Sequence, residues 1–244
     1  MSELGTRLAL ALIGYGKMGK ALEQLAPARG FEVRFILNGE AIRSGADFDA
    51  AKFRGVDVAI EFTSPPAVLE SIRRVAALGC NLVVGTTGWS DQLEEVRGVV
   101  ERAGIGLVYG SNFSVGAQLF FKIAEAGAGI VARFPIYEPY ITETHHRFKK
   151  DAPSGTALEL KRRIQPAFGT RDVSVGSIRA GYVPGTHELG FDSEADTIIL
   201  RHTARGRAGF AEGVLYAARW IAGKKGVFTF ADLFASNAKE ETSS

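Results

Sequence analysis

The chain has 244 residues, of which 46% are hydrophobic, and this composition excludes a disordered or fibrous protein. Its 29 basic and 27 acidic side chains give a formal net charge of +2, which favours neither nucleic acid nor an anionic membrane as a partner. The single cysteine, Cys80, forms no intramolecular disulfide, and no apolar stretch is long enough for a transmembrane segment. We therefore expect a cytoplasmic protein whose partner is a small molecule.

The first half of the chain alternates short apolar runs with helical patterns. Runs such as LALALI, FEVRFIL, VDVAIEF and NLVV are typical of buried parallel strands, and helix-like segments separate them. Ser64 before two prolines predicts a helix start, and Gly79 predicts the end of that helix. This rhythm predicts an α/β fold with a Rossmann-like, doubly wound parallel sheet in a first domain, residues 1–114.

The pattern changes after residue 114. One helical stretch is followed by strand-like runs at 136–146, 172–180 and 196–203, with a helix at about 155–165 and a glycine-rich loop at 181–190. Consecutive strands with few helices predict a second, α+β domain, residues 115–216, with a mixed or antiparallel sheet.

The segment after this domain, about 217–244, is expected to complete the first domain, apart from a polar tail, 238–244, predicted to be disordered. Small residues at the two crossings, Ser114–Gly116 and Arg207–Gly209, predict hinges for domain closure.

Gly14, Gly16 and Gly19 form a G-x-G-x-x-G motif between the first strand and the first helix. In dinucleotide-binding sites the first glycine allows a tight turn, the second lets the backbone approach a pyrophosphate, and the third permits close helix packing. The alternative is a glycine turn in a domain that binds no dinucleotide. The position of the motif between a strand and a helix favours dinucleotide binding.

Asn38 stands after the second strand, where an acidic residue usually binds the ribose hydroxyls of NADH. An amide does not repel a 2′-phosphate, and Lys17, Arg34 or Arg43 are candidates to attract one. Both NADH and NADPH are therefore expected as cofactors. Asn38 is also a common turn residue, so a role in the turn alone stays open.

Two polar loops follow later strands of the predicted parallel sheet. The first is Gly85-Thr86-Thr87, and the second is Gly110-Ser111-Asn112-Phe113. Ligands bind at the carboxyl ends of strands in an open parallel sheet, so these loops are candidates to meet the nicotinamide end of the cofactor. Taken singly, each loop is equally consistent with an ordinary surface connection.

A cluster of ionisable residues leads into the predicted second-domain helix. His145 and His146 precede Lys149, and Ser154-Gly155-Thr156 opens the helix with amide and hydroxyl donors for a carboxylate. If the strand continues through both histidines, they face opposite sides and have different roles. A histidine on a strand is more often structural, but this combination favours an anion-binding catalytic site.

The remaining polar residues of the second half receive no catalytic assignment. They are Arg179, His187, His202 and Arg207, and strand edges or turns account for many such residues. A zinc site is disfavoured, because adjacent histidines lack the spacing of a helical ligand pair and the one cysteine is remote. No metal is expected.

Taken together, the motifs resemble the dihydrodipicolinate reductase family, the 4-hydroxy-tetrahydrodipicolinate reductases of the diaminopimelate route to lysine. The resemblance runs nearly end to end and rests on IGYGKMGK, VDVAIEFTSP, VVGTTGW, SNFSVG, ETHHRFKKDAPSGTA and AEGVLYAARWIAGKKGVFTFADL. It implies NAD(P)H-dependent reduction of a dicarboxylate, with hydride transfer to C4 of the ring system and loss of water, in a homotetramer.

The resemblance also implies residue roles. The cofactor contacts are Gly14, Tyr15, Gly16, Lys17, Met18, Gly85, Thr86, Thr87, Gly110, Ser111, Asn112 and Phe113. His145 matches the acid/base group and Lys149 the proton donor, while His146, Gly155 and Thr156 match substrate-binding positions. Asn38 departs from the acidic residue usual in the family, and the loop at 38–55 is short.

Two other functions remain open at the level of sequence. A related amino-acid or keto-acid dehydrogenase would keep the glycine motif and use the histidines on another substrate. A non-catalytic NAD(P)H sensor would need the glycine motif but not the cluster around His145 and Lys149. That cluster therefore favours an enzyme.

Overall fold

The computed structural model describes residues 7–39, 42, 45, 48–206 and 208–235. The predictions made for Arg43, for Arg207 and for the tail at 238–244 concern residues outside these ranges.

Strands and helices alternate along most of the described chain, except that three consecutive strands lie between residues 174 and 203. The strands are β1 (Leu8–Ile13), β2 (Phe31–Leu37), β3 (Val58–Glu61), β4 (Asn81–Val84), β5 (Gly106–Tyr109), β6 (Glu138–His145), β7 (Ser174–Arg179), β8 (Thr186–Asp192), β9 (Thr197–Thr203) and β10 (Gly226–Thr229). The α-helices are α1 (Lys17–Leu25), α2 (Ala50–Phe53), α3 (Pro65–Ala77), α4 (Leu93–Ala103), α5 (Val115–Val131), α6 (Gly155–Phe168) and α7 (Ala208–Ile221). Short 3₁₀ segments lie at Ala26–Arg29, Ser90–Gln92 and Phe230–Phe234.

The chain divides into two compact units. The first runs through Ser114 and resumes at Phe210, and the second comprises Val115–Gly209. The return to the first unit therefore comes earlier than the predicted residue 217. The reason lies in α7, whose buried residues include Gly213, packed against the Phe113 carbonyl of the first unit.

The first unit contains a six-stranded sheet in the order β10-β5-β4-β3-β1-β2, with every neighbouring pair parallel. The predicted Rossmann-like sheet is confirmed. From β1 the chain passes to β2 on one side and then to β3 on the other, so the order of the strands reverses between β1 and β3. A doubly wound sheet has its ligand crevice at this switch point.

Both faces of this sheet are buried, as the nearly continuous apolar strands require. Alternate residues such as Ala11, Ala59 and Leu82 join a core cluster that also contains side chains of α3 and α4. The residues between them, such as Leu10 and Ile60, are equally buried on the opposite face. A sheet packed on both faces leaves its strand ends as the place for a ligand.

The second unit contains a four-stranded sheet in the order β7-β6-β8-β9. The pair β6 and β7 is parallel, and the other two pairs are antiparallel, which confirms the predicted mixed sheet. The predicted loop at 181–190 is partly wrong, because β8 begins at Thr186. Alternation in THELGFD is the signal that was missed, since His187, Leu189 and Phe191 are buried on one face.

One face of the second sheet packs on helices. Ile141, Leu189 and Phe191 form a core with apolar side chains of α5 and α6. On the other face Tyr140 lies across Gly190, where an added Cβ would come within 2.2 Å of the tyrosine ring. The helix-covered face is the one that carries His145 and His187.

Among the helices in the described part of the chain, none is long and apolar enough to cross a membrane.

Two helical glycines give a matched test of this packing. A Cβ at Gly213 would lie 1.7 Å from the Phe113 carbonyl oxygen, whereas a Cβ at Gly129, in α5, meets nothing within 4 Å. We expect Gly213→Ala to lower the unfolding free energy by about 3 kcal/mol. Gly129→Ala should raise it by about 0.5–1 kcal/mol. Urea unfolding measures both, and equal effects would contradict the close approach at Gly213.

Candidate active site

A cleft of about 720 Å³ lies at the switch point of the first sheet, beside the glycine motif. Gly14 has φ +97°, and its N–H donates to the Leu37 carbonyl over 2.9 Å. A Cβ at Gly14 would lie 2.1 Å from the Phe62 carbonyl oxygen. The tight turn therefore needs glycine for its backbone angle and for the approach of β3.

The other two glycines of the motif differ in their surroundings. A Cβ at Gly19 would lie 2.5 Å from the Gly14 carbonyl oxygen, which confirms the predicted close packing of α1 against the turn. A Cβ at Gly16 meets nothing within 4 Å, and Gly16 lines the cleft at the N-terminus of α1. The amide end of this helix is thus open toward the cleft, as a bound anion would require.

Asn38 and Gly39 line the same cleft. Arg34, one of three candidates to attract a 2′-phosphate, pairs with Glu32 and lines a separate groove. The positive charge among the described lining residues comes instead from Arg74 on α3.

Arg74 is held in place from three sides. Its Nε donates to Glu70 over 2.7 Å, its Nη1 is 3.5 Å from the Ile42 carbonyl, and its guanidinium lies 5.3 Å from the centre of the Phe48 ring. Arg74 was not among the residues predicted from the sequence. Its spacing of four from Glu70 on a helix that starts at the switch point was the available signal.

The loops after β4 and β5 border a second cleft of about 250 Å³. The predicted residues that line it are Thr86, Thr87, Gly110 and Ser111. Gly85 and Phe113 have other surroundings. A Cβ at Gly85 would strike the Phe62 ring, and the Phe113 side chain is buried against Phe62 and Phe230. These two residues shape the strand ends, and Phe113 offers a ligand only its backbone.

Glu61, at the end of β3, is fully buried beneath these loops. Its Oε1 accepts hydrogen bonds from the backbone N–H and the hydroxyl of Thr63, while its Oε2 has no partner among the described residues. Burial raises the pKa of Glu61, and the hydrogen bonds from Thr63 and Thr86 oppose this only in part. The Thr63 N–H also donates to the Thr86 hydroxyl over 2.8 Å, which ties two of the loops together.

In the second unit, β6 ends at His145, so His146 lies beyond the strand. His145 faces inward, and its Nδ1 is hydrogen-bonded to the carboxylate of Glu143, two residues earlier on the same face. Across the sheet, Glu143 is in register with His187, which is in register with His202. The ends of three strands thus form one polar row on an otherwise apolar face.

Glu143 has a carboxylate with no exposed surface. Its Oε1 accepts from Arg179 Nη2 over 2.7 Å and from the Ser154 N–H over 3.3 Å. Burial alone would raise the pKa of Glu143, but hydrogen bonds from Arg179, Ser177 and His145 outweigh it and hold the pKa at about 2. Glu143 is therefore ionised near neutral pH.

Ser154, the residue before α6, connects the row to the helix start. Its hydroxyl accepts from the Ala157 N–H over 3.2 Å and lies 3.1 Å from His187 Nε2. The predicted helix start at Ser154 is confirmed. Gly155 is exposed, and a Cβ there meets nothing within 4 Å, so there is free space beside the first turn of α6.

His146 and Lys149 lie in the loop after β6. His146 Nδ1 is buried without a hydrogen-bond partner among the described residues. Lys149 Nζ is paired with Asp151 over 2.8 Å, and the Lys149 N–H donates to the His146 carbonyl. Burial lowers the pKa of His145, Glu143 opposes this, and the charges of Lys149 and Arg179 add to the lowering.

Glu143, His145 and His187 each present a ligand atom within 4.8 Å of the others, a spacing that a metal ion could use. Both oxygens of Glu143 are already engaged, one by Arg179 and one by His145. A cation would have to displace the His145 hydrogen bond and lie close to a guanidinium. The arrangement fits an ion-paired network better than a metal site.

Glu143 was missed in the sequence analysis, and Arg179 and His187 were left unassigned. The available signal was alternation, since Glu143 precedes His145 by two residues in β6.

The fold and the glycine cleft define a Rossmann-type dehydrogenase that uses a nicotinamide cofactor. Two family models match, the N-terminal domain of dihydrodipicolinate reductase over residues 8–113 and its C-terminal domain over residues 116–234. The chain belongs to the dihydrodipicolinate reductase family.

Curated relatives agree. The chain is 32% identical over 237 residues to the 4-hydroxy-tetrahydrodipicolinate reductase of Christiangramia forsetii, covering 93% of this chain and 97% of the relative. It is 37% identical over 209 residues to the enzyme of that name from Chromobacterium violaceum, covering 77% and 76%. Both matches extend across both units of the chain.

Among solved structures, a dipicolinate-bound dihydrodipicolinate reductase from Paenisporosarcina sp. TG-14 superposes with a TM-score of 0.75 and 23% identity. The match covers 91% of this chain and 97% of that one. At this identity the likeness shows a shared fold.

The buried histidines of this polar row predict that the unfolding free energy depends on pH in the acidic range. Burial, with a smaller contribution from His145, lowers the pKa of His187 to about 4, against 6.5 for an exposed histidine. Between these pH values the unfolded chain binds a proton that folded His187 does not. We therefore expect the unfolding free energy to fall as the pH drops from 6.5 to 4, with His187 contributing on the order of 3 kcal/mol.

Urea unfolding of the wild type and of His187→Gln at several pH values isolates this contribution. The variant should lose less stability on acidification. Parallel curves for the two proteins would contradict a neutral, buried His187.

Proposed function

We propose that this protein reduces 4-hydroxy-tetrahydrodipicolinate to tetrahydrodipicolinate with NADPH or NADH. The first unit holds the dinucleotide and the second unit holds the substrate. Membership of the dihydrodipicolinate reductase family supports this reaction. The observation that carries it is the row of Glu143, His145 and His187 beside the N-terminus of α6, because an anionic substrate needs donors and its reduction needs a proton.

His145 is the proposed acid/base group, and Lys149 is the proposed proton donor. Hydride addition leaves electron density on the ring that a proton must quench. The ion pair with Asp151 keeps the Lys149 ammonium near the start of α6. His146, Ser154, Gly155 and Thr156 are proposed to bind the substrate carboxylates.

The predicted closure of the two units about Ser114–Gly116 stays a prediction.

When bound, the nicotinamide supplies the hydride. The residues of this chain bind the substrate, orient it and protonate it.

The cofactor is proposed to lie along the 720 Å³ cleft with its pyrophosphate at Gly14 to Met18 and its adenosine ribose at Asn38. The loops at Gly85 to Thr87 and at Gly110 to Phe113 are proposed to meet the nicotinamide. Arg74 supports NADPH use, because its guanidinium lines the same cleft as Asn38 and can pair with a 2′-phosphate. The neutral Asn38 amide leaves NADH acceptable as well.

The reaction is tested with the freshly made condensation product of pyruvate and aspartate semialdehyde. Folded protein that binds NADPH should oxidise it only when this product is present. Absence of oxidation with a folded, NADPH-binding protein would contradict the proposed function.

Variants of the second unit separate chemistry from binding. His145→Gln and Lys149→Ala should each lower kcat by about 10²-fold or more, since a general acid contributes typically 10²- to 10⁴-fold. His146→Gln should raise KM more than it lowers kcat. Steady-state kinetics measures these changes, and NADPH titration checks that cofactor affinity is unchanged. A kcat within about threefold of wild type for Lys149→Ala would reject it as the proton donor.

Variants of the first unit test the cofactor assignment. Asn38→Asp places a carboxylate at the proposed ribose and should weaken NADPH binding more than NADH binding. Arg74→Met removes a charge that only NADPH would use, so it should weaken NADPH by about tenfold, the effect of about 1.4 kcal/mol. Arg34→Met, in the separate groove, is the matched control. Equal effects on both cofactors in a fluorescence titration would contradict the assignment.

The homotetramer implied by the resemblance stays a prediction. The face of the second sheet opposite the helices exposes apolar side chains, among them Ile178 and Ile199, and such a face favours association. Light scattering at micromolar concentration should give a mass above that of one chain, and a monomer would contradict the prediction.

A further inference from the structure

Glu143 is a charged residue of the row to which the proposed reaction assigns no step. It lies two residues before His145 on the inner face of β6, with a carboxylate that has no exposed surface. A buried carboxylate costs several kcal/mol unless it is paired and hydrogen-bonded. We propose that Glu143 is a positioning residue, which fixes the tautomer of His145 so that Nε2 faces the substrate. The role in catalysis rests on the proposed function.

The two carboxylate oxygens have different partners. Oε1 accepts from Arg179 Nη2 and from the Ser154 N–H, at 2.7 and 3.3 Å. Oε2 is hydrogen-bonded to His145 Nδ1. An ionised carboxylate only accepts, so Nδ1 must carry the proton and Nε2 holds the lone pair of the neutral ring. The partners of one side chain thereby determine which nitrogen of another is basic.

Arg179, which donates to Glu143, is itself held by two further hydrogen bonds. Arg179 Nη2 also donates to the Asp151 carbonyl over 2.5 Å, and its Nη1 donates to the Ile178 carbonyl over 2.8 Å. These bonds fix the guanidinium between β7 and the loop before α6. Rotation of the carboxylate would therefore break its hydrogen bonds with Arg179 and with the Ser154 amide.

The other nitrogen of His145 is left accessible by a glycine. A Cβ at Gly185 would lie 3.0 Å from His145 Nε2, so any other residue there would crowd this atom. Gly185 also has φ +141°, which disfavours other residues on backbone grounds. The loop before β8 thus keeps open the nitrogen that Glu143 makes basic.

Charged and titratable groups face His145 from several elements. Of the two neighbouring rings, His145 and His187, they favour protonation of His145 alone. Glu143 faces it from its own strand, Arg179 from β7, His187 from β8 and Lys149 from the following loop. His187 lies edge-on, with ring centres 5.0 Å apart, and its low pKa keeps it uncharged near neutral pH. When His145 takes a proton at Nε2, Glu143 is the anion in direct contact with the imidazolium.

Glu143→Gln is a sharp test because the amide has only one accepting atom. The Arg179 and Ser154 donors require the amide oxygen, so the NH₂ group must point at His145 Nδ1. Nδ1 then has to accept, and the proton moves to Nε2. The same exchange of acid for amide gives the wrong tautomer in the serine-protease triad, a different protein.

The experiment is nitrogen-15 NMR of histidine-labelled full-length protein, without cofactor or substrate, with His145→Gln to assign the signal. We expect Nδ1–H in the wild type, Nε2–H in Glu143→Gln, and Nδ1–H again in Glu143→Asp. In turnover, Glu143→Gln should lower kcat at least tenfold with KM within threefold, and Glu143→Asp should restore part of kcat. Glu159→Gln, an arginine-paired carboxylate on α6, is the matched control and should change neither readout.

The proposal is overturned if wild-type His145 carries its proton on Nε2, or if folded Glu143→Gln keeps Nδ1–H and a kcat within threefold of wild type. It is also overturned if a chelator abolishes turnover and zinc restores it, since Glu143 would then be a metal ligand. If Glu143→Gln does not fold, the wild-type and Glu143→Asp spectra still decide. Absence of wild-type turnover with the expected tautomers would reject the proposed reaction and leave the positioning of His145 standing.

Discussion

The negative charge of Glu143 sits where water cannot reach it, and much of the second unit follows from that constraint. The charge is compensated by a guanidinium from β7, an amide from the start of α6 and an imidazole from β6. Each bond is worth most when the others are present, because an unpaired member would remain buried. The network therefore couples the ends of two strands to the start of a helix. The same hydrogen bonds that compensate the charge of Glu143 also fix the orientation of His145.

In the first unit, the main constraint is the close packing that brings several backbone turns to one edge of the sheet. Because Gly14 has no side chain, the Phe62 carbonyl can approach it, and because Gly85 has none, the Phe62 ring can pack against it. The ring of Phe113 fills the space between Phe62 and Phe230, and Gly213 lets α7 approach its carbonyl. Side chains thus fill the volume beneath the strand ends, and backbone and hydroxyl groups are left at the surface where a dinucleotide would lie.

The sequence predicts the first unit well, because parallel strands buried on both faces are continuous apolar runs. LALALI, FEVRFIL and NLVV match β1, β2 and β4 to the residue. It predicts the second unit less well, since β8 begins inside a stretch rich in glycine and turn residues. The 181–190 segment carries local turn signals, and only pairing with β6 and β9 makes part of it a strand.

The candidate site is divided in the same way. Gly14, Gly19 and Ser154 act through local geometry, so their structural roles were predictable. Glu143 and Arg74 act across elements, and their importance depends on strand register and on the loop that meets α3. A sequence contains the alternation that puts Glu143 and His145 on one face. It does not contain the position of Arg179, whose hydrogen bond is the largest of those that lower the pKa of that carboxylate.

The two buried glutamates, Glu61 and Glu143, have pKa values shifted in opposite directions because their hydrogen-bond partners differ. Glu61 is the last residue of β3, Glu143 lies two residues before the end of β6, and both side chains are buried. Glu61 has only hydroxyl and amide donors, so burial prevails and its pKa rises, whereas Arg179 reverses the balance at Glu143. A raised pKa weakens the negative charge beneath the loops that are proposed to meet the nicotinamide. A lowered pKa preserves the charge beside the imidazole that is proposed to exchange a proton. The described partners of Glu61 include no cation, whereas Arg179 is the first of three hydrogen-bond donors that lower the pKa of Glu143.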